Sequence, residues 1–121
     1  MRLVPTLRPL LAAAVLVGTT VMVTATPANA ATCPHRDSPK IPAGEANWAL
    51  TCRQVEGQTA LYVDGWVEDT RHDSLCAVVR ITPEGRNYPD EVRAACGYGE
   101  RVQIHKFYQG RSAIVRLASS R

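Results

Sequence analysis

Four cysteines constrain this chain more than any other feature. Cys33, Cys52, Cys76 and Cys96 are spread so that no two lie closer than 19 residues. That spacing leaves no Cys-x-x-Cys for a metal, and an even count in a short chain reads as a disulfide framework. Four cysteines admit three connectivities. Pairing neighbours, Cys33–Cys52 and Cys76–Cys96, is favoured, and each bridge then closes a loop of about 20 residues worth about 3 kcal/mol in the chain-entropy model. Pairing all four also removes any thiol nucleophile.

Disulfides need an oxidising compartment, and the N-terminus has the pattern of an export signal. Arg2 and Arg8 come first, with no acidic residue before Asp37. An apolar stretch from Leu10 to Val23 follows, and then Ala28-Asn29-Ala30, the small-x-small pattern that signal peptidase accepts. The apolar stretch is interrupted by Gly18, Thr19 and Thr20 and is shorter than the roughly 20 residues that span a membrane. No Arg-Arg pair suggests the twin-arginine route, and Ala30-Ala31-Thr32 lacks the leucine expected before a lipoprotein cysteine. Residues 1–30 are therefore expected to be a signal peptide, with secretion of a product that begins at Ala31 and has no further membrane association.

Removing 30 of 121 residues takes Arg2 and Arg8 away, so 12 of the 14 basic residues remain against 11 acidic ones. The remaining chain is near neutral with its signs interspersed, which leaves no electrostatic footprint for nucleic acid. Ten of those twelve basic residues are arginine, a bias that GC-rich coding produces without any functional demand.

Residues 31–46 hold Pro34, Pro39, Pro42 and Gly44 with almost no apolar periodicity, and read as an extended Pro-rich arm ahead of a domain over 47–121. Trp48, Leu50 and Cys52 alternate with polar or small residues, as in a half-buried strand. Glu56-Gly57-Gln58 turns the chain into a second strand, 60–67, whose inward set is most simply Leu61, Val63, Gly65 and Val67. Residues 68–74 are polar and form a loop. Leu75 to Ile81 is a β-branched strand, and Thr82-Pro83-Glu84-Gly85 has turn chemistry. Residues 88–96 carry both helix boundary marks and strand alternation, and the strand is preferred. As a hairpin, it sets Cys76 opposite Cys96, Val78 opposite Ala94 and Arg80 opposite Val92, a register that a bridge supports. Strands over 102–108 and 113–117 complete about six. Short strands with turns between them and no fixed repeat predict an all-β fold, a small antiparallel sandwich or barrel with two disulfides.

The segments Tyr62-Val63-Asp64-Gly65-Trp66-Val67-Glu68-Asp69-Thr70-Arg71, Cys76-Ala77-Val78-Val79-Arg80 and Arg93-Ala94-Ala95-Cys96 resemble a group of small exported actinobacterial proteins. In that group a strand of the form DGW-V-x-DTR precedes a Cys-bridged β-hairpin. The likeness covers roughly residues 59–118 and leaves out Cys33 and Cys52. It implies a β-sandwich and the Cys76–Cys96 pair, but no activity. The secreted subtilisin-inhibitor family is also small, β-rich and two-bridged, but its cysteine spacing and reactive loop do not match.

Candidate sites are few. Asp69, Arg71, His72 and Asp73 crowd one loop, where Asp69 and Asp73 with loop carbonyls can hold Ca²⁺ or His72 can serve as a base. The competing reading is a solvated loop with local caps, and no Asp-x-Asp-x-Asp-Gly spacing is present. His35, His72 and His105 lack metal-ligand spacing, there is no Gly-x-Ser-x-Gly, and no cofactor is expected. Asp64, Glu68 and Asp69 are a possible carboxylate set of the glycosidase kind. Tyr62 and Trp66, with Asp64 between them, share one face of a strand. That face is either an exposed aromatic platform for a sugar ring or a partner side chain, or it is the core.

The expected function is a secreted β-domain that binds a cell-envelope polysaccharide or a secreted protein. A protease inhibitor and a small hydrolase are the alternatives. Loss of Cys76–Cys96 is expected to cost more stability than loss of Cys33–Cys52, because the hairpin bridge lies within the sheet.

Overall fold

The computed structural model describes residues 30–84 and 88–121. The expected signal peptide, apart from Ala30, lies outside the described residues, as does Gly85 of the expected turn. Nine strands form two antiparallel sheets, and no helix occurs among the described residues. They are β1 (Ala30–Thr32), β2 (His35–Asp37), β3 (Lys40–Ile41), β4 (Gly44–Val55), β5 (Gln58–Asp69), β6 (Cys76–Pro83), β7 (Glu91–Ala95), β8 (Arg101–Gln109) and β9 (Ser112–Ser120). One sheet runs β1-β9-β6-β7; the other runs β2-β4-β5-β8, with β3 also paired to β4. The expected β-sandwich is correct, and so are both bridges, Cys33–Cys52 and Cys76–Cys96.

The six strands read from the sequence are β4 to β9. The other three lie in or next to the segment expected to be an extended Pro-rich arm. Ala31 pairs with Ala113 of β9, Arg36 with Ala49 of β4, and Lys40 with Glu45. The arm thus joins both sheets, and the boundary expected between 46 and 47 falls inside β4. Strands of two or three residues are too short to show period-2 alternation, which is why the sequence did not reveal them.

The two long strands β4 and β5 form a hairpin paired from Gly44↔Asp69 to Val55↔Gln58. Its turn is Glu56-Gly57, with φ of 52° and 79°. A two-residue hairpin loop needs this left-handed pair to match the twist of its strands. Further along, Gly65 stands directly opposite Trp48. A Cβ on Gly65 would overlap the Asn47 carbonyl oxygen, so only glycine allows β4 to approach here.

Strand alternation decides what is inside. Trp48 and Leu50 of β4, Leu61, Val63 and Val67 of β5, and Ile104 and Tyr108 of β8 are buried from one sheet. Ala77, Val79 and Ile81 of β6, Ala95 of β7, and Ala113, Val115 and Leu117 of β9 meet them from the other. The apolar members of the inward set expected for β5 are therefore in the core. Residues 88–96 contain a strand, not a helix, and Val78 faces Ala94 and Arg80 faces Val92 as the hairpin requires.

The two sheets meet at one side through their edge strands β7 and β8, where Lys106 Nζ lies 3.1 Å from Glu91 Oε1. Next to this pair, Tyr108 is almost fully buried, and its hydroxyl has no hydrogen-bond partner in the structure. Burial, then the charge of Glu91 and then Tyr88, push its pKa up to about 12. An acid with a raised folded-state pKa keeps its proton longer in the native than in the unfolded chain, so stability falls as pH rises through the window between 10 and 12. Tyr108→Phe removes an unsatisfied buried hydroxyl, so stability at neutral pH is expected to hold or rise. The variant should also lose less stability than wild type between pH 10 and 12, as read by denaturant titrations across that range.

Candidate functional site

The outer face of the β2-β4-β5-β8 sheet collects the side chains that point away from the core. Tyr62, Asp64 and Trp66 of β5 all lie on it, half-buried, and none is in the core. These three side chains therefore belong to the outer face of the sheet and not to the core. At a rise of about 3.3 Å per residue, Tyr62 and Trp66 sit about 13 Å apart along the strand.

The neighbouring strands complete the face in register. Tyr62 faces Phe107 of β8, Asp64 faces His105, Trp66 faces Gln103 and Glu68 faces Arg101. On the other side, Thr51, Ala49 and Asn47 of β4 stand beside Tyr62, Asp64 and Trp66. Tyr62 and Phe107 are stacked, with ring centroids 5.9 Å apart and planes at 26°. Phe107 is 68% exposed, the most exposed large apolar side chain among the described residues. The Arg53 guanidinium lies 5.2 Å from the Tyr62 ring centroid. Asp64 Oδ1 accepts a hydrogen bond from His105 Nδ1. Arg101 lies over the Trp66 ring at 3.6 Å and is held there by Glu68, its Nη2 2.7 Å from Glu68 Oε1. One face of Trp66 is therefore covered by a cation, and the freely presented ring is Phe107.

The sequence missed Phe107, His105, Arg101 and Arg53. Arg101, Gln103, His105 and Phe107 do alternate with Val102, Ile104 and Tyr108, which is the available signal. Lys106 on the inward side, and two adjacent aromatics at 107 and 108, blur that alternation. Nothing local shows that β8 pairs with β5.

Beyond Phe107 the face continues into an open groove of about 360 Å³, lined by Val55, Thr59, Ala60, Tyr88, Phe107 and Tyr108 among others. Tyr88 meets Tyr108 edge-on at 5.3 Å, and its hydroxyl accepts a hydrogen bond from the Gln109 amide at 3.2 Å. Phe107 thus belongs to both the platform and the groove.

The other candidates are placed differently. Asp64 and Glu68 share the outer face, but Asp64 is hydrogen-bonded to His105 and Glu68 is ion-paired with Arg101, while Asp69 points to the opposite side and is fully buried. Asp69 Oδ1 accepts the Arg71 amide at 3.0 Å and Asp73 Oδ1 accepts the Leu75 amide at 3.0 Å. These are two separate local turns. Among the described residues no three His, Cys, Asp or Glu side chains group to hold a metal ion. His72 stacks on Tyr98, with centroids 3.9 Å apart. Among the described residues no helix is long and apolar enough to cross a membrane. No family model, curated protein or solved structure matches this chain.

Proposed function

We propose that this chain is a secreted, disulfide-stabilised domain that binds a polysaccharide of the cell envelope through the outer face of β5 and β8. Export follows from the N-terminal pattern and accords with two disulfides and no free cysteine among the described residues. It also agrees with the resemblance to the small exported actinobacterial proteins. Intact-mass measurement of culture supernatant should find a chain beginning at Ala31, and a dominant species retaining residues before Ala28 would contradict the assignment.

The observation that carries the binding reading is the stacked pair Tyr62–Phe107, with the Phe107 ring open to solvent. Covering the apolar area that the stacked pair presents to water is favourable. The C–H face of a sugar ring is apolar enough to do so, and the polar neighbours supply what its hydroxyls need. Asp64 offers an acceptor, Gln103 and Asn47 offer donors and acceptors, and His105 offers the ring nitrogen that Asp64 does not engage. Rows of different chemistry along one sheet suit an extended polymer better than a compact ligand, and the groove past Phe107 lengthens the track.

Co-sedimentation with purified insoluble envelope polysaccharide tests the reading. Wild type should be retained, and Phe107→Ala should lose most of that retention while melting at nearly the wild-type temperature. Equal retention of both proteins would sink it.

A further inference from the structure

The opposite face of the sandwich carries an arrangement that costs stability without an evident structural return. Arg80 of β6 stands directly opposite Arg116 of β9. Like charges at directly opposed positions on neighbouring strands repel. Arg80 has a partner in Asp90, 3.3 Å away, with both side chains partly exposed, a pair of modest weight at that exposure. Arg116 has no acidic partner among the described residues.

The register builds the surroundings strand by strand. Val92, Arg80 and Arg116 form one row across β7, β6 and β9; Ala94, Val78 and Ala118 form the next; beyond it Cys76, bridged to Cys96, stands opposite Ser120. Two guanidinium groups therefore border a strip of small apolar side chains that ends at the Cys76–Cys96 bridge. These residues, together with Ser119 and a third arginine, Arg121, line a depression of about 420 Å³ that contains no aspartate or glutamate. Val92, at its edge, is 46% exposed.

We infer that this depression is a binding site for a free amphiphilic oxyanion, a carboxylate or phosphate carrying a short apolar chain. An anionic head placed between Arg80 and Arg116 turns their repulsion into two charge-assisted hydrogen-bonded contacts, for which the guanidinium fork is suited. The apolar chain then covers Val78, Ala94 and Ala118. The volume is that of a small-molecule site. A bilayer is a poorer match, since insertion at an interface uses large protruding apolar side chains, and this strip is made of short ones. The site is separate from the aromatic platform and does not depend on it.

Calorimetric titration of the disulfide-bonded protein with hexyl phosphate, octyl phosphate and inorganic phosphate, each below any micelle concentration, tests the inference. Affinity should rise about two- to fourfold per added methylene, since only part of each is buried. It should also fall with added salt. Arg116→Gln should weaken octyl phosphate by about tenfold or more while leaving the melting temperature unchanged or raised, because the opposed charges are relieved. Arg111→Gln, which removes one charge elsewhere, should bind as wild type does. Three results would overturn the proposal. They are equal binding by Arg116→Gln, loss of folding stability in that variant, and Arg116-dependent binding to phosphatidylglycerol vesicles without binding of octyl phosphate, which would assign the face to a membrane surface.

Discussion

Replacing Trp48 by alanine should cost about 3–5 kcal/mol and leave little folded protein at physiological temperature. Trp48 is 2% exposed and lies in the interior between the two sheets. It stands opposite Gly65, whose missing side chain lets the strands approach at that point. Truncation leaves a cavity that the surrounding strands, fixed by twelve register pairs between β4 and β5, can close only in part. The same substitution at Trp66 removes a half-buried ring on the outer face and one cation–π contact, worth about 1–2 kcal/mol together. For a domain of this size each kcal/mol moves the melting temperature by about 4–8 °C. Melting curves of the two variants should therefore be clearly separated, with Trp66→Ala the more stable. Equal losses would place Trp66 in the core and contradict the assignment of faces.

Double Cys→Ser replacement should be more damaging at Cys33–Cys52 than at Cys76–Cys96, the reverse of what the sequence suggests. The two bridges span 19 and 20 residues, so loop closure contributes about 3 kcal/mol to each and does not separate them. What separates them is their surroundings. Cys76–Cys96 joins β6 and β7, which already hold each other through five register pairs, and Cys96 is exposed. Cys33 and Cys52 pack against the core, and their bridge pins the junction of β1, held by only two pairs in a chain that begins at Ala31, and β2, held by three. Losing that bridge also leaves a packing defect and frees the arm from both sheets, adding about 1–2 kcal/mol. Chemical denaturation of the two double variants measures the order, and a less stable Cys76/Cys96 variant would contradict this account.

The β6–β7 hairpin was legible from residues alone because β-branched alternation, turn residues and a cysteine at each end together outweigh the helix boundary marks of residues 88–96. Which residues of β5 share a face was legible, since Leu61, Val63 and Val67 keep strict alternation around Gly65, but alternation alone left open which of its two faces is the core. The arm was not legible. Its strands pair through backbone groups with little apolar burial, and no pattern of side chains marks that. The platform was half legible. Tyr62, Asp64 and Trp66 are adjacent in the chain and share a face by period alone, whereas Phe107 and His105 reach it through a pairing across about forty residues, which alternation within one strand does not encode. The opposed arginines on the other sheet were hidden in the same way, because Arg80 and Arg116 are ordinary surface residues until their register is known.

The most direct test of the binding face is residue-resolved. Amide chemical shifts of the ¹⁵N-labelled, disulfide-bonded protein should be followed during titration with soluble oligosaccharides released from the envelope polymer. The account predicts that the responding amides lie on β5 and β8, centred on Tyr62, Asp64, Trp66, His105 and Phe107, with the β6-β9 face unchanged. Saturation with no shift on those two strands, or shifts confined to another surface, would contradict it.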